Sequence, residues 1–471
     1  MHNIEQIFIN GEFVFPHGTE RFDLYNPATA RVIGQVRLAD EVDGERAIAA
    51  AKAAFPAWSQ TSKAERIAAL KRMHAAVVAR HDELLEAVIE EYGAPASRSA
   101  WMASYPAEVI AQAIAALEAF EFTSAAGAAT VQMVPLGVAG LITPWNSDAG
   151  FICGKLAVAL AAGCTAVIKP SEMSALQTRV ITEALADAAL PPGVFNIVTG
   201  RGDRVGETLS RHPDVAKISF TGSTTTGKAI LRNAAESFKR VTLELGGKSP
   251  TILLEDVDLT NAIPLVVQAG FMNSGQACVA GTRILVPQSR KAEIETALAD
   301  AVAAVKSGDP RDNATEIGPM VSEKQWQRVQ SYIRKGIDEG ARLLAGGEGR
   351  PEGTQDGWFV RPTLFADVNN QMAIARDEIF GPVLCVIPYR DEAEAVAIAN
   401  DTDYGLSAMV LGGDVARAHR VAQQIVSGRV LVNTLAHEPK APFGGFKHSG
   451  VGREMGEWGI RAFMEPRSVV G

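Results

Sequence analysis

Residues 137–169, GVAGLITPWNSDAGFICGKLAVALAAGCTAVIK, carry the pattern that decides the fold. Two short apolar runs, at 137–142 and 165–169, flank a longer Ala-rich run at 151–162. Short apolar runs bounded by turn residues are typical of buried strands, whereas the longer run is typical of a helix. The segment therefore predicts two parallel strands joined by a crossover helix.

The same alternation continues on both sides of this unit. Strand-like pieces at 7–15 and helical patterns at 45–58 and 64–91 come first, and the first hundred residues are predicted to be mostly helical cover. A chain of 471 residues is too long for one core, since domains usually divide beyond about 250 to 300 residues. We therefore predict an α/β fold of two domains. Further strands are expected at 194–198, 216–220, 241–244, 283–287, 383–388, 408–411 and 428–433, with helices at 176–190 and 227–238.

Composition excludes several classes of protein. The net charge is −9 and no Lys/Arg run dominates a segment, so we expect no nucleic-acid partner. The four cysteines have no C-x-x-C spacing, and the eight histidines form no metal-binding motif, so neither a disulfide framework nor a catalytic metal is expected. Neither a secretory signal nor a membrane span is evident, which predicts a cytoplasmic protein.

Polar or Gly-rich residues follow five predicted strands in succession. Ligands of open parallel sheets bind beyond the carboxyl ends of the strands, so this pattern predicts a nucleotide-sized site. The run from Gly222 to Lys228 resembles the phosphate loop of a nucleotide triphosphatase, but Ala229 stands where such a loop needs a magnesium-binding hydroxyl. The interpretation that remains for this run is a helix N-terminus able to bind phosphate.

Two side chains in such loops are candidates for chemistry. Cys278 lies in a Gly-punctuated polar loop, where a thiol can be exposed and its thiolate favoured, whereas the other cysteines lie in apolar patterns. A lone Cys is more often a small buried hydrophobe. Glu244 ends a predicted strand between apolar neighbours, and partial burial would raise its pKa toward that of a general base, although a surface carboxylate is the competing interpretation.

Seven motifs in order along nearly the whole chain resemble those of aldehyde dehydrogenases. The resemblance implies an α/β protein with a Rossmann-like cofactor domain, an α/β catalytic domain and a small β arm that joins subunits. The motifs are Pro144-Trp-Asn146, Lys169-Pro-Ser-Glu172, Phe220-Thr-Gly-Ser223, Leu243-Glu-Leu-Gly-Gly-Lys248, Gly275-Gln-Ala-Cys278, Glu378-Ile-Phe-Gly-Pro382 and Pro442-Phe-Gly-Gly-Phe446.

The resemblance also implies roles for individual residues. Cys278 would attack the aldehyde, Asn146 would hold the oxyanion, and Glu244 would activate the water that hydrolyses the thioester. NAD is the implied cofactor, and it is preferred over NADP because Glu172 would repel a 2′-phosphate. The residues expected to bind or shape the cofactor site are Trp145, Lys169, Glu172, Gly202, Gly222, Ser223, Glu378 and Phe380.

The implied domain limits are 1–124 with 136–246 for NAD binding and 247–445 for catalysis. Residues 125–135 and 461–471 would form the arm, which predicts a homodimer or homotetramer. The residues argue against two alternatives. An enzyme that passes the acyl group to coenzyme A would not need Glu244, and a relative without activity would be expected to lack Cys278 or Asn146.

A few departures from the family bear on the aldehyde that would be used. Ser147, Gly154 and Ala277 stand where relatives often have larger side chains, which predicts a wide pocket and a bulky aromatic or heteroaromatic substrate. Asp148 would disfavour a short semialdehyde with its own carboxylate if it pointed inward. The alternatives are that Asp148 faces solvent or caps the following helix, and capping is the interpretation we favour.

Overall fold

The computed structural model describes residues 1–354 and 356–471, which form four β-sheets and fifteen α-helices. The strands are β1 (His2–Ile4), β2 (Ile7–Ile9), β3 (Glu12–Val14), β4 (Arg21–Asn26), β5 (Arg31–Arg37), β6 (Thr123–Ala126), β7 (Ala129–Pro135), β8 (Val138–Ile142), β9 (Thr165–Lys169), β10 (Phe195–Ile197), β11 (Val215–Thr221), β12 (Arg240–Glu244), β13 (Pro250–Leu253), β14 (Arg283–Pro287), β15 (Arg342–Ala345), β16 (Thr363–Ala366), β17 (Val383–Tyr389), β18 (Ser407–Leu411), β19 (Arg429–Val432), β20 (Gly450–Val451) and β21 (Met464–Val470). The helices are α1 (Glu41–Ser59), α2 (Lys63–Ala79), α3 (His81–Ala87), α4 (Ala96–Ala119), α5 (Asp148–Ala162), α6 (Ala175–Asp187), α7 (Glu207–Arg211), α8 (Thr224–Ala235), α9 (Leu259–Phe271), α10 (Lys291–Ala304), α11 (Glu323–Asp338), α12 (Ala373–Arg376), α13 (Glu392–Asn400), α14 (Val415–Ala422) and α15 (Gly456–Arg461).

The first large sheet has the strand order β20-β12-β11-β8-β9-β10-β2-β3. Its five central strands, β12 to β10, are parallel, and only the edges add antiparallel strands. The chain leaves β8 toward β9 on one side and later returns to β11 on the other. The order therefore reverses at β8, and the loops after β8 and β11 diverge there to leave a crevice of the kind that binds ligands.

Helix α5 lies directly behind this crevice and is almost wholly buried. Its apolar surface on all sides is what a helix needs when it packs between a sheet and another helix. The helix ends at Gly163, which adopts the left-handed conformation (φ 93°) that glycine favours at a helix C-terminus. The strand–helix–strand unit predicted from residues 137–169 is confirmed.

The second large sheet has the order β15-β16-β17-β14-β13-β18-β19 and is parallel except at β15. The predicted strand at 283–287 has the same bounds as β14. The carboxyl end of β12 in the first sheet runs through Gly246 and Gly247 into β13 of the second, so both sheets contribute to one cleft.

The N-terminal region differs from its prediction of mostly helical cover. Residues 2–37 supply five strands: β1, β5 and β4 form a separate sheet, and β2 with β3 extends the first large sheet. The helix expected at 64–91 is also broken, because the backbone leaves helical geometry at Arg80 and a short π-helical turn, Val88–Tyr92, follows α3. Local periodicity does not reveal such interruptions, since the apolar residues on either side keep the helical spacing.

A small antiparallel sheet joins two distant parts of the sequence. Strand β7 pairs with β6 on one side and with β21 on the other. The strands β6 and β21 are largely exposed, including Val469 and Val470 near the C-terminus. Whether this sheet joins subunits stays a prediction. Among the residues that the structure describes, no helix is long and apolar enough to cross a membrane.

Candidate active site

A cleft of about 820 Å³ lies at the carboxyl ends of β8, β9, β11 and β12. The second sheet closes it through the loop that carries Cys278 and the segment after α12. The predicted site residues that line this cleft are Trp145, Asn146, Glu172, Gly222, Ser223, Glu244, Cys278, Glu378 and Phe380.

Two predicted cofactor residues do not line the cleft. Lys169 is buried, and its Nζ atom donates to the Glu172 carboxylate at 3.4 Å. Gly202 begins a short π-helical turn, and a methyl group built there would have no atom within 4 Å. Cofactor contact by these two residues therefore stays a prediction.

The loop that carries Cys278 is held in an unusual conformation. Asn273 and Ser274 both have positive φ (55° and 58°), and Gly275 follows with a φ of 74°. Such a conformation costs free energy in a residue with a Cβ and persists only where the surroundings impose it. The Gln276 side chain supplies part of that restraint, because it bonds the Tyr92 hydroxyl, the Pro319 carbonyl and the Val321 N–H.

The Asn146 amide is fixed against this same loop. Its Nδ2 donates to the Gln276 backbone carbonyl at 2.9 Å, and the backbone carbonyl of Asn146 accepts from the Asn273 side-chain amide at 3.0 Å. An amide carries two N–H donors, so one is left for a ligand. Within residues 1–354 and 356–471 no backbone carbonyl accepts from the backbone N–H of Cys278. Sequence reasoning missed Asn273, although it lies only two residues before the motif that begins at Gly275.

The Cys278 thiol is half-buried, and its electrostatic environment differs from the prediction. Burial, with the nearby negative charges of Glu378 and Glu244, raises the pKa of Cys278 to about 12. The expectation that the loop itself favours the thiolate is therefore wrong. Removal from water disfavours the charged form of the thiol. The polar residues of the loop instead hold the loop backbone in place. A thiolate here needs a positive charge that the loop does not supply.

Glu244, at the end of β12, is buried with 3% of its surface exposed. Burial and the negative charge of Glu454 raise its pKa well above the ordinary value. Neither carboxyl oxygen has a hydrogen-bond partner among the described residues. A buried carboxyl that is not saturated by protein donors can accept a proton from a bound water molecule.

A buried polar cluster stands behind Glu244 and was not foreseen. The Lys155 ammonium group contacts the Glu454 carboxylate at 2.5 Å and the Ser219 hydroxyl at 2.9 Å. These residues are up to 299 positions apart, so no local pattern in the sequence relates them. Gly444 also belongs here, because a methyl group on it would lie 2.8 Å from a Glu244 oxygen.

Glu378 and Phe380 form the wall of the cleft opposite the first sheet. The Glu378 carboxylate accepts from the Gly247 N–H at 3.0 Å, and burial raises its pKa to about 7. A methyl group on Gly246 would lie 2.4 Å from this carboxylate, so the approach requires glycine. Gln325 and Arg328 of α11 were missed from sequence, and they hold the segment by donating to its backbone carbonyls.

Glu172 and Ser223 line the cleft beyond the carboxyl ends of β9 and β11. Ser223 caps α8 by accepting the Thr226 N–H at 3.2 Å, so the free N–H groups of this helix start face the cleft. Arg201, also missed from sequence, has its guanidinium 3.9 Å from Glu172 and is bonded to Glu20. Glu172 therefore has a cation on each side, Lys169 and Arg201.

The residues on which the substrate prediction depends lie elsewhere than expected. Asp148 is fully buried and accepts hydrogen bonds from the hydroxyls of Thr143 (2.6 Å) and Thr178 (2.8 Å). It does not line the cleft, face solvent or cap α5, so all three interpretations of Asp148 are wrong. Gly154 lines a separate cavity of about 80 Å³, and a methyl group there would meet only Val109, at 3.7 Å.

Three further observations complete the site. Ser147 and Ala277 do not line the main cleft, so neither widens it. The other three cysteines are buried, and their pKa values are raised by burial. Outside residue 355, no group of three or more His, Cys, Asp or Glu side chains is arranged to hold a metal ion.

Comparison with known proteins identifies the family. The model of the aldehyde dehydrogenase family matches residues 13–469. The chain belongs to the aldehyde dehydrogenase family. The predicted family, fold class and enzyme class are thereby confirmed. A curated relative, 3-succinoylsemialdehyde-pyridine dehydrogenase from a Pseudomonas species, is 44% identical over 473 residues, covering 100% of this chain and 99% of the relative.

Solved aldehyde dehydrogenases have the same fold. A mutant of aldehyde dehydrogenase C from Pseudomonas syringae, crystallised with NAD+ and octanal, is 44% identical with a TM-score of 0.97, and the match covers 99% of this chain and 96% of that one. A Mycobacterium tuberculosis aldehyde dehydrogenase crystallised with NAD+ is 41% identical with a TM-score of 0.95, covering 99% and 98%.

Proposed function

We propose that this aldehyde dehydrogenase oxidises an aldehyde to a carboxylic acid with NAD, through a covalent intermediate on Cys278. The observation that carries the proposal is the presence of Cys278, Asn146 and Glu244 on the wall of one cleft at the reversal point of a parallel sheet. A thiol, an amide with a free N–H and an unsaturated buried carboxyl are the groups that acyl chemistry needs.

The residues of the cleft fit a dinucleotide. The cleft has a volume of about 820 Å³, which is large enough for a dinucleotide. Because Gly246 and Gly247 have no side chains, the Glu378 side chain can turn toward the cleft. Glu172 would hold ribose hydroxyls, the start of α8 at Ser223 a phosphate, and Glu378 with Phe380 the nicotinamide end. When bound, NAD supplies a hydride acceptor and a positive charge, and positive charge nearby favours a thiolate. The NAD+ complexes of the two structural relatives support this choice of cofactor.

The chain's own residues would then act in two stages. The Cys278 thiolate attacks the carbonyl carbon, and the resulting oxyanion accepts hydrogen bonds from the Asn146 amide and the Cys278 N–H. Once the substrate is oxidised, its acyl group remains on Cys278 as a thioester. Glu244 in its carboxylate form takes a proton from water, the hydroxide adds to the thioester, and the C–S bond breaks to release the acid.

We propose that each domain has the function that the sequence predicts for it. Residues 1–124 with 136–246 would bind NAD, residues 247–445 would supply the catalytic loop, and 125–135 with 461–471 would join subunits in a homodimer or homotetramer. The exposed strand β21 supports the last point. Sedimentation of the intact chain, and of one ending at residue 460, tests it: loss of the oligomer on truncation is the expected result, and an unchanged oligomer contradicts it.

We also propose that the aldehyde is bulky, with an aromatic or heteroaromatic group. The support for this proposal comes from the Pseudomonas relative, because Gly154 lines a cavity separate from the cleft that holds Cys278. Apolar burial contributes roughly 25 cal/mol per Å² removed from water, so a larger group gains more. The heteroaromatic substrate in the name of the Pseudomonas relative is in keeping with this.

The experiment is a panel of aldehydes assayed with purified protein and NAD. NADH formation and the free acid are both measured, with acetaldehyde, benzaldehyde and a larger aryl aldehyde as substrates. We expect one NADH and one free acid per turnover and a higher kcat/KM for the aryl aldehydes. Absence of oxidation with every aldehyde contradicts the reaction, whereas a preference for acetaldehyde contradicts only the proposed size of the substrate.

A further inference from the structure

The Asn273 side-chain amide joins the two segments that carry the proposed oxyanion donors. Its Nδ2 atom donates to the backbone carbonyl of Asn146 at 3.0 Å and to the backbone carbonyl of Gln276 at 3.2 Å. Asn146 supplies one donor from the loop after β8. Cys278, whose backbone N–H is the other donor, follows Gln276 by two residues. One amide therefore links the loop of the first sheet to the catalytic loop.

The Gln276 backbone carbonyl is a shared acceptor in this arrangement. The Asn146 side chain donates to it at 2.9 Å, so the amides of Asn146 and Asn273 bond the same oxygen atom. A carbonyl oxygen has two lone pairs, and the two amides use both of them. Because an amide group is planar, holding one N–H of Asn146 on this oxygen also sets the direction of its other N–H. That second N–H is the one proposed to bind the oxyanion.

Gln276 holds the shared acceptor in place. Its backbone N–H donates to the Asn273 carbonyl at 3.0 Å, which closes a tight turn, and its side chain bonds the Tyr92 hydroxyl. Asn146, Asn273 and Gln276 are all buried. Among the described residues, only the Asn273 amide donates to the Asn146 backbone carbonyl. Asn273 is therefore the group that holds the Asn146 backbone against the catalytic loop.

The backbone conformation of Asn273 does not by itself require this side chain. Its φ of 55° and ψ of 40° lie in the left-handed region, which asparagine tolerates better than most residues. Glycine adopts this conformation without steric cost. A variant with glycine at position 273 can therefore keep the turn and lose only the amide.

A second buried asparagine shows what a structural role requires. Asn196 on β10 donates from Nδ2 to the carbonyls of Ala166 and Gly193, at 3.2 and 3.1 Å, and its Oδ1 accepts from the Asn10 N–H at 2.9 Å. The Asn273 Oδ1 is buried and has no hydrogen-bond partner among the described residues. A buried acceptor without a partner lowers stability. Stability therefore explains the Asn196 side chain more fully than that of Asn273.

We propose that Asn273 is a positioning residue of the oxyanion site, which aligns the Asn146 amide with the Cys278 N–H so that both reach one carbonyl oxygen. The residues that line the cleft include Asn146 and Cys278 but not Asn273, so Asn273 acts through these two groups. The inference rests on the attack by Cys278 proposed above. Loss of the Asn273 amide should slow reactions in which a carbonyl oxygen becomes charged, and should leave other reactions of the thiol unchanged.

Two reactions of the same thiol distinguish misaligned donors from a disrupted loop. The Cys278 thiolate attacks the carbonyl carbon of p-nitrophenyl acetate to form a tetrahedral oxyanion, which collapses to a thioester and releases p-nitrophenolate. Iodoacetamide is attacked at its methylene carbon, so that a C–S bond forms, iodide leaves and no oxyanion develops. Both reactions need the thiolate, so the ratio of their rate constants is independent of the Cys278 pKa.

The two rate constants are measured at one pH with saturating NAD, and C278A serves as the blank. Absorbance of p-nitrophenolate follows acylation, and mass spectrometry of the intact protein follows alkylation. We expect N273G to lower the ratio of acylation to alkylation by about 10²-fold, the effect of displacing catalytic groups by about 1 Å. N273D keeps the shape of the side chain without its N–H donors, and it should lower the ratio as well.

N196A is the matched control, because it also removes an amide that donates to two backbone carbonyls. It should lower the thermal midpoint and leave the ratio at the wild-type value. An equal fall in acylation and alkylation in N273G and N273D would show a merely structural role for Asn273 and overturn the inference. An unchanged ratio in both variants would overturn it too.

A double-mutant cycle tests whether Asn273 acts through Asn146. N273G should lower the acylation rate constant by a smaller factor in the N146A background than in the wild type, because the amide that Asn273 aligns is already absent. Equal factors in the two backgrounds overturn the inference and leave the proposed oxidation intact. Acylation of C278A as fast as that of the wild type would instead refute Cys278 as the nucleophile, and with it the proposed function.

Discussion

Acidic side chains and cysteines occur both on the wall of the cleft and in the buried layer directly behind it. The two places differ in whether the polar atoms of these side chains have hydrogen-bond partners. Glu244 on the wall has two carboxyl oxygens without protein partners, whereas Asp148 behind it has both oxygens bonded to threonine hydroxyls. Burial raises the pKa of both groups, that of Asp148 to about 7. A perturbed pKa alone therefore does not distinguish a candidate base from a structural acid, but unused bonding capacity facing a cleft does.

The cysteines repeat this contrast. Cys278 lines the cleft, whereas Cys153 is fully buried within α5, and the pKa of each is raised by burial. We expect C278A to lower oxidation by more than about 10³-fold, since loss of a nucleophile removes the covalent route. C153A should retain activity and lose stability by roughly 1 kcal/mol, the typical effect of a single substitution.

The measurements are steady-state NADH formation and thermal unfolding for both variants. NAD binding by C278A, followed by calorimetry, shows that the cleft is intact. Substantial turnover by C278A would contradict the assignment of the nucleophile.

Substitution of the carboxyl groups of Glu244 and Asp148 is expected to have the second largest effect. E244Q should slow hydrolysis of the thioester by about 10²- to 10⁴-fold, the usual contribution of a general base. Rapid mixing should then show a burst of NADH followed by slow turnover. D148N replaces an acceptor oxygen by an N–H donor, so one threonine hydroxyl loses its acceptor at a cost of about 1–3 kcal/mol in unfolding free energy.

D148N should show no burst, because the slow step of the reaction does not depend on it. A burst in D148N and none in E244Q would reverse the assignment of the two carboxyls. Equal thermal stability of D148N and wild type would show that the threonine hydrogen bonds contribute little.

Some of this comparison could be predicted from the sequence, and some could not. Strand ends at Asn146, Glu172, Ser223 and Glu244 follow from local patterns, and the carboxyl ends of parallel strands must meet. The state of each side chain depends on partners distant in sequence, such as Lys155 with Glu454 or Asn273 with Asn146. Motifs therefore predicted Cys278, which lines the cleft, and misjudged its pKa, and they placed Asp148 at the helix start without the threonine hydroxyls that bind it.

The pH dependence is the third prediction. Glu244 must be ionised to accept a proton, and its pKa lies well above the ordinary 4.5. Lowering the pH through that raised pKa should therefore slow deacylation, so that wild type shows a burst at low pH that fades as the pH rises. In E244Q the steady-state rate should lose this dependence. Stopped-flow traces over a pH series test the point, and a burst in wild type that grows with pH would contradict it.

Asp148 should change stability with pH instead of activity. Its pKa is raised from 3.8 to about 7, so its contribution to stability is complete below about pH 4 and is lost as the pH rises through 7. Denaturant unfolding of wild type and D148N at both limits separates the two roles. The difference in unfolding free energy between the proteins should shrink as the pH rises, and a difference that grows would contradict the assigned pKa.

The smallest effect concerns the cofactor. Glu172 would repel a 2′-phosphate that carries nearly two negative charges, but Lys169 and Arg201 flank its carboxylate at 3.4 and 3.9 Å. The two cations weaken the repulsion, so we expect NAD to be preferred over NADP without NADP being excluded. The expected preference is about 10-fold, the size of one partly screened charge interaction. E172Q should reduce the preference, and R201Q, which removes a cation, should increase it. The ratio of kcat/KM for the two cofactors measures each change.

Equal or reversed values in the wild type would refute the role of Glu172, and an unchanged ratio in R201Q would show that Arg201 serves only its bond to Glu20.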